Sequence, residues 1–256
     1  MMFAITRGVS PAIDRCELTH IDREPIDFSR ACAQHRQYVE ALRGLGIQVL
    51  ALPVEPDLPD SVFVEDAALV LDECAIMTNP GARSRRPELE SIEAALTPYR
   101  KILHVQAPGT IDGGDILVVG KTVFVGVTTR SNGNAIGQLT VMLEPLGYEV
   151  RPVPVTGCLH LKSGVTQVAD DTLLLNPDWV SSAYFPGLNF LEVDPAEPGA
   201  ANAVLVGGAI IFPTAFPGTL KILKSAGITA VTVDADELAK AEGAVTCCSL
   251  LFRHDG

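Results

Sequence analysis

The sequence has little positive charge. Its 256 residues include 19 Lys and Arg against 31 Asp and Glu, which gives a formal net charge of -12. No basic run stands out beyond the pair Arg85-Arg86. Binding to a phosphate backbone depends on clustered Lys and Arg, so we expect no nucleic-acid partner. A cationic or zwitterionic small molecule is the more natural ligand for an acidic chain.

Long apolar stretches are also missing. No uninterrupted apolar run approaches the roughly 18 residues that a membrane span requires. The first residues, Met-Met-Phe-Ala-Ile-Thr-Arg, show no basic segment followed by a long apolar one, as a secretion signal would. These features predict a cytoplasmic protein that does not associate with membranes.

The cysteines show neither of the two common structural patterns. No Cys-x-x-Cys occurs, and no histidines stand at zinc-site spacing. We therefore expect neither a disulfide framework nor a structural zinc ion, and one of the free thiols could be a nucleophile. The six cysteines are Cys16, Cys32, Cys74, Cys158, Cys247 and Cys248.

What the sequence does contain is an internal repeat. With 47% hydrophobic residues the chain can bury a sizeable core, in one or two domains on length alone. Pairs of strand-like runs alternate with helical intervals and single apolar runs, so the repeated unit is predicted to be strand-strand-helix-strand. The paired runs are Ala67–Met77, Ile116–Val127, Val165–Leu175 and Ala203–Phe212. The helical intervals are Pro25–Arg43, Pro87–Leu96, Ala135–Leu146 and Thr219–Ala226, and the single runs include Ile47–Leu52, Lys101–Val105 and Glu149–Val155.

A polar residue precedes each pair of strands at nearly the same phase. These residues are Asp66, Asp112, His160 and Asn202, and Cys247 precedes the last apolar segment, so the interval is 42 to 48 residues. Such a period is typical of repeated supersecondary units. Five units closed into a ring would bring the equivalent positions toward one axis. Turn positions favour Asp and Asn for backbone reasons alone, but that explanation does not account for a His and a Cys at the same phase.

The residue types at this phase suit nucleophilic catalysis. A thiolate attacks an electrophilic carbon, and His160 can first protonate a leaving amine and then deprotonate the attacking water. The surrounding carboxylates distinguish the set from a peptidase, because they would hold a guanidinium but not an amide carbonyl. The carboxylates concerned are Asp60, Glu65, Asp66, Asp112 and Asp115. Adjacent residues of a strand point to opposite faces, so only one of Cys247 and Cys248 is expected to face the site.

Five segments in order along the chain resemble the dimethylarginine dimethylaminohydrolase family of the guanidino-modifying (pentein) superfamily. They are Leu58-Pro-Asp-Ser-Val-Phe-Val-Glu-Asp66, Gly81-Ala-Arg-Ser-Arg-Arg86, Ile111-Asp-Gly-Gly-Asp115, Leu159-His-Leu-Lys-Ser163 and Thr246-Cys-Cys-Ser249. The resemblance covers essentially the whole chain. It implies an α/β fold, a five-bladed pseudo-symmetric α/β propeller (pentein) of strand-strand-helix-strand repeats, with residues 1–256 as a single domain.

The resemblance also implies roles for individual residues. The catalytic residues would be Cys247 as nucleophile, His160 as general acid and base, and Asp112 as the partner of His160. Substrate would be bound by Asp60, Glu65 and Asp66 at the guanidinium and amine, by Arg85 and Arg130 at the carboxylate, by Leu18 on a lid, and by the backbone around Ala241. The family reaction converts Nω-methylated arginine to citrulline and dimethylamine or methylamine through an S-alkylthiouronium on cysteine. No metal or organic cofactor is implied, and the expected assembly is a monomer or homodimer.

Other functions compete with this interpretation. An arginine deiminase or an amidinotransferase would use the same chemistry on other substrates. A non-catalytic ribosome-binding ring has no need for Cys, His and Asp in matching phase, and a thiol peptidase does not explain the carboxylates.

Two segments differ from those of the animal enzymes of the family. Gly164-Val-Thr-Gln follows the His-Leu-Lys-Ser motif, and the lid segment Cys16–His20 also differs.

Overall fold

The computed structural model describes residues 1–254, which form fifteen β-strands and six α-helices. The strands are β1 (Met2–Arg7), β2 (Gln48–Leu52), β3 (Ala68–Val70), β4 (Cys74–Met77), β5 (Lys101–His104), β6 (Ile116–Val119), β7 (Thr122–Val127), β8 (Glu149–Pro154), β9 (Val165–Ala169), β10 (Thr172–Leu175), β11 (Asn189–Glu192), β12 (Val204–Val206), β13 (Ala209–Pro213), β14 (Ala230–Val233) and β15 (Leu250–Arg253). The helices are α1 (Phe28–Gly44), α2 (Leu89–Leu96), α3 (Gly133–Leu143), α4 (Leu161–Gly164), α5 (Pro217–Ser225) and α6 (Asp236–Ala239). Within residues 1–254, no helix combines the length and the apolar character needed to cross a bilayer.

The strands form five three-stranded sheets with one common topology. Their orders are β15-β1-β2, β3-β4-β5, β6-β7-β8, β9-β10-β11 and β12-β13-β14. In each sheet the middle strand pairs antiparallel with the first strand and parallel with the third. The parallel pair requires a crossover between its strands, and the helical segment of each unit lies there. The predicted strand-strand-helix-strand repeat is thus confirmed in four units, whereas the crossover of the β9-β10-β11 unit contains a 3₁₀ turn instead of an α-helix.

Five hydrophobic clusters join the sheets into a closed ring. Each cluster combines side chains of two neighbouring units, so no unit buries its apolar faces alone. For example, Leu117 and Phe124 of the third sheet pack with Leu173 and Leu175 of the fourth. Phe3 and Ile5 pack in the same way against Ala75 and Met77. The predicted five-bladed α/β propeller is confirmed.

The turns within the units follow local backbone chemistry. Gly207 and Gly208 connect β12 to β13 with φ of 62° and 79°. Both central residues of a type I′ hairpin turn need positive φ, which glycine adopts without strain. Short polar or glycine-containing turns separate the paired strands of three other units, at Asp72-Glu73, Gly120-Lys121 and Asp170-Asp171.

Some helix boundaries differ from those predicted. Helix α1 begins at Phe28 instead of Pro25, because the Asp27 side chain accepts a hydrogen bond from the N–H of Arg30 (3.0 Å) and caps the helix there. Segment 83–88 forms a 3₁₀ helix before α2 begins. The β9-β10-β11 unit has only a 3₁₀ turn at Ser182–Tyr184 in its crossover.

A short helical turn precedes the first strand of each of the five units. These turns span 64–67, 113–115, 161–164, 198–201 and 246–248. Asp66 and Cys247 lie within their turns, whereas Asp112 and His160 directly precede theirs and Asn202 directly follows its own. All five residues are buried. The turns therefore place the repeated polar positions at one end of the ring, and the five first strands line a central cavity of about 240 Å³ beneath them.

Candidate active site

His160 lies between two carboxylates at the axis. Its Nε2 is 3.1 Å from Oδ2 of Asp112, and one ligand-type atom each of Asp66, Asp112 and His160 lies within 4.8 Å of the others. Burial alone would lower the pKa of His160, but the neighbouring carboxylates, Asp66 foremost, raise it to about 9. At neutral pH the imidazole is therefore protonated and able to act as an acid.

Gly113 and Gly114 allow this close approach. The N–H of Gly114 donates to Oδ1 of Asp66 (2.8 Å). A Cβ at Gly114 would lie 2.6 Å from Nδ1 of His160, and one at Gly113 would lie 1.9 Å from the carbonyl oxygen of Glu65. Gly114 therefore makes room for the His160 ring, and Gly113 makes room for the backbone of Glu65.

Asp112 is held from three sides. Its Oδ1 accepts a hydrogen bond from the N–H of Gly81 (2.9 Å), and its Oδ2 faces both His160 and Nη1 of Arg130, the latter at 3.5 Å. Arg130 also donates from Nη2 to the hydroxyl of Thr19 (3.1 Å). Arg130 thus connects the Asp112–His160 pair to the N-terminal segment.

Arg85 is fully committed to buried partners. It pairs with Oδ2 of Asp66, and it donates to Glu88 from Nε (3.1 Å) and Nη2 (2.8 Å) and to the carbonyl oxygen of Phe63 (3.0 Å). Burial acts to raise the pKa of Asp66, yet the Arg85 guanidinium lowers it to about 2. In this arrangement Arg85 keeps Asp66 ionised as a carboxylate. A substrate carboxylate that bound to Arg85 would have to share the guanidinium with these partners.

Cys247 and Cys248 have different surroundings, but both lie in the 3₁₀ turn at 246–248 and not in a strand, so the predicted alternation of strand residues does not explain the difference. Cys247 lines the same small cavity as His160, whereas the Sγ of Cys248 lies 3.5 Å from the carbonyl oxygen of Ala244 and outside the lining. Burial, with added repulsion from Glu65 and Asp66, raises the pKa of Cys247 to about 12. The free thiol is therefore neutral at physiological pH.

Glu65 and Lys162 form an ion pair under the small cavity that Cys247 and His160 line. Glu65 also accepts a hydrogen bond from the hydroxyl of Thr246 (2.9 Å), next to Cys247. Burial raises the pKa of Glu65 although Lys162 opposes the shift. These three side chains also line the central cavity, so they separate it from the space in front of Cys247.

The N-terminal segment covers the cavity. Oδ2 of Asp60 accepts the N–H of Glu17 (3.2 Å), and the carboxylate of Glu242 accepts the N–H groups of Thr19 and His20 (2.6 Å each). Leu18, between these contacts, packs against the hydrophobic cluster below. Only about 20 Å³ remains free inside the cavity, which is room for about one water molecule.

Most of the predicted site residues converge here. The cavity lining includes Cys247, His160, Asp60, Asp66, Arg85, Arg130 and Ala241. Asp112, Glu65 and Leu18 are not part of that lining, although Asp112 contacts His160 and Glu65 contacts Thr246. Asp115 is fully buried and instead accepts the N–H of Leu161 (2.9 Å), which supports the segment that follows His160.

Sequence reasoning missed five lining residues: Glu17, Phe63, Leu159, Glu242 and Gly243. Four of them adjoin predicted residues along the chain, since Glu17 precedes Leu18, Leu159 precedes His160 and Glu242-Gly243 follows Ala241. Glu242 adopts φ of 54°, the one described non-glycine residue with positive φ in residues 1–254. That conformation is uncommon outside glycine, Asn and Asp, and no sequence pattern announced it.

The Asp66, Asp112 and His160 cluster has the residue types of a cation site. Its carboxylates, however, already face Arg85 and Arg130 and accept backbone N–H groups. A metal ion would have to compete with those guanidinium groups. The donor set is thus better suited to holding His160 than to binding a metal.

The five-unit ring and the Cys, His and carboxylate cavity define the class of guanidino-modifying enzymes. Residues 15–182 match the family model described as N,N dimethylarginine dimethylhydrolase, eukaryotic. The chain belongs to the dimethylarginine dimethylaminohydrolase family.

Named relatives match over nearly their full lengths. The chain is 40% identical over 252 residues to N(G),N(G)-dimethylarginine dimethylaminohydrolase of Streptomyces coelicolor, covering 98% of this chain and 96% of the relative. It is 35% identical over 242 residues to the enzyme of the same name from Pseudomonas aeruginosa, covering 94% of each chain. The crystal structure of a Cys-to-Ser variant of the Pseudomonas aeruginosa enzyme with citrulline superposes with a TM-score of 0.93 at 34% identity, covering 98% of both chains.

Proposed function

We propose that the protein hydrolyses Nω-methylated arginines, namely asymmetric dimethylarginine and monomethylarginine, to citrulline and dimethylamine or methylamine. The observation that carries the proposal is the single covered cavity in which Cys247, His160 and Asp66 meet. The relatives named for this reaction, and the citrulline bound by the Pseudomonas aeruginosa enzyme, support the substrate class.

The charges around the cavity favour a cationic substrate. Asp60 and Asp66 line it, and Glu65 lies directly beneath. A guanidinium presents several N–H donors in one plane, which matches carboxylate acceptors. Of the two arginines predicted to bind the substrate carboxylate, Arg130 fits that role better, because exchanging Thr19 for a carboxylate costs it only one neutral hydrogen bond.

Substrate binding prepares the nucleophile. The pKa of Cys247 is raised by burial and by Glu65 and Asp66, and a guanidinium placed among these groups offsets their negative charge. The thiol then loses its proton to solvent more easily, and the thiolate attacks the guanidinium carbon. A new S–C bond forms, and the carbon becomes tetrahedral.

His160 transfers a proton in each half of the reaction. Protonated at neutral pH, it gives its proton to the amine nitrogen, the C–N bond breaks, and dimethylamine leaves an S-alkylthiouronium on Cys247. Neutral His160 then takes a proton from water, and the hydroxide adds to the same carbon. As the C–S bond breaks, the added hydroxyl group loses its proton to solvent, the thiolate is restored, and the ureido group of citrulline forms. Asp112 holds the imidazole throughout.

The test is citrulline formation by purified protein with asymmetric dimethylarginine, monomethylarginine and arginine side by side, without added metal. Preference for the methylated substrates supports the proposal. Turnover of arginine alone would replace it with a deiminase using the same residues, and silence on all three would refute it. The proposal includes one domain over residues 1–256, a cytoplasmic monomer or homodimer, and no nucleic-acid partner, which the net charge of -12 supports.

A further inference from the structure

Asn202 occupies the one repeated polar position that the proposed reaction does not use. Its side chain is buried and does not line the cavity. Its Nδ2 donates to the carbonyl oxygen of Lys162 (2.9 Å) and to Oγ1 of Thr246 (2.9 Å), while its Oδ1 accepts the N–H of Thr246 (3.1 Å). One carboxamide therefore joins two segments that lie far apart in sequence.

Those two segments hold the two reacting side chains. Thr246 directly precedes Cys247, and Lys162 lies two residues after His160 at the start of α4. The short turn at 246–248 is also held by the hydrogen bond of the Thr246 hydroxyl to Glu65 (2.9 Å) and by local backbone hydrogen bonds, such as the N–H of Cys247 to the carbonyl oxygen of Ala244 (3.2 Å). The contacts of Asn202 thus restrain the turn relative to the histidine segment.

Only an amide fits the donors and acceptors found there. The Thr246 hydroxyl donates to Glu65 (2.9 Å), so it can only accept from Asn202. The N–H of Thr246 needs an acceptor, and the Lys162 carbonyl needs a donor. A carboxylate supplies acceptors alone, and a hydroxyl is too short to reach all three groups.

We propose that Asn202 is a positioning residue that sets the separation of Cys247 from His160. The inference rests on the proposed function, because it concerns the geometry of that reaction. Misplacing reacting groups by about 1 Å can cost roughly 10²-fold in rate. Substrate binding uses other residues, so the loss should fall on kcat.

The chain provides a matched control. Asn176 is equally buried, donates to the carbonyl oxygen of Pro198 (2.8 Å) and accepts the N–H of Asp178 (2.9 Å), and it does not line the cavity. A purely structural amide at either position would affect the melting temperature alike. Only the positioning role separates them in catalysis.

The experiment compares Asn202→Ala, Asn202→Asp and Asn176→Ala with the wild-type chain. Each is assayed for citrulline kcat and KM and for iodoacetamide modification of the Cys247 peptide across pH, read by mass spectrometry. Circular dichroism establishes the folded fraction.

Asn202→Ala should lower kcat about 10- to 100-fold and should leave KM within about 3-fold of the wild-type value. Asn202→Asp adds negative charge near the thiol, so its modification profile should move to higher pH. Asn176→Ala should stay within about 3-fold of wild-type kcat.

An unchanged kcat and an unchanged modification profile in Asn202→Ala would overturn the inference, as would equal losses in the Asn176 variant. Failure of the proposed function looks different, because the wild-type chain itself then forms no citrulline. In that case a shifted Cys247 profile in Asn202→Ala, which adds no charge, still supports positioning, and an unshifted profile in that variant refutes it.

Discussion

Replacing Gly114 by alanine tests the packing behind His160. The backbone at Gly114 lies outside the left-handed region, so an alanine would be strained by contact and not by conformation. The added Cβ would lie 2.6 Å from Nδ1 of the ring and 3.0 Å from Oδ1 of Asp66, whereas ordinary contact begins at 3.4 Å. The imidazole must retreat by about 1 Å, and a displacement of that size costs roughly 10²-fold in rate.

The assay is citrulline kcat for Gly114→Ala against the wild-type chain at saturating methylarginine. Gly137→Ala is the control, because a Cβ there meets no atom within 4 Å among the described residues. Gly137 lies inside α3 and is exposed, so alanine should stabilise the fold by about 0.5–1 kcal/mol and leave kcat unchanged. If Gly114→Ala keeps kcat within about 3-fold, the glycine is not needed for the ring and the argument fails.

Three more predictions concern the thiols, the imidazole and the covering segment. Cys247→Ser should abolish turnover and Cys248→Ser should retain most of it, and the reverse pattern would overturn the assignment of the nucleophile. The pKa of His160 in the folded protein, about 9, exceeds its ordinary value of 6.5. This difference contributes about 3 kcal/mol to the free energy of unfolding. The contribution should be complete below pH 6.5 and should disappear as the pH rises through 9. Urea unfolding of wild type and His160→Gln across this range checks it, and a constant difference between the two would contradict it. Glu242→Ala removes the acceptor of two N–H groups, so hydrogen exchange at amides 19 and 20 should quicken about 10-fold; unchanged exchange would show that this carboxylate does not hold the segment.

The repeat made the ring and the centre of the site predictable from sequence. A period of 42 to 48 residues with polar residues in phase predicts that Asp66, Asp112 and His160 meet, because equivalent positions of a closed ring face one axis. In the structure these three lie together. The paired strands were also predictable, since each pair is broken by a short polar or glycine turn.

The partners of the charged residues were not predictable in the same way. Nothing in the Gly81-Ala-Arg-Ser-Arg-Arg86 segment indicates that Arg85 pairs with Asp66 and Glu88, because a guanidinium suits a substrate carboxylate equally well. The contact of Glu242 with residues 19 and 20 joins segments more than 220 residues apart. Such pairings depend on the final placement of two loops, for which periodicity holds no information.

The sheet β15-β1-β2 has a consequence for the order of folding. Four sheets form from strands that are neighbours in sequence, whereas this one pairs β1 with β15 across more than 240 residues. Contacts between distant segments form late, because the loop-closure entropy must be lost first. Cys247 lies just before β15, so the thiol should reach its acidic surroundings only when this last pairing forms. A refolding chain should thus lose the ordinary reactivity of Cys247 toward iodoacetamide in its final kinetic phase, which makes that thiol a time-resolved probe of ring closure.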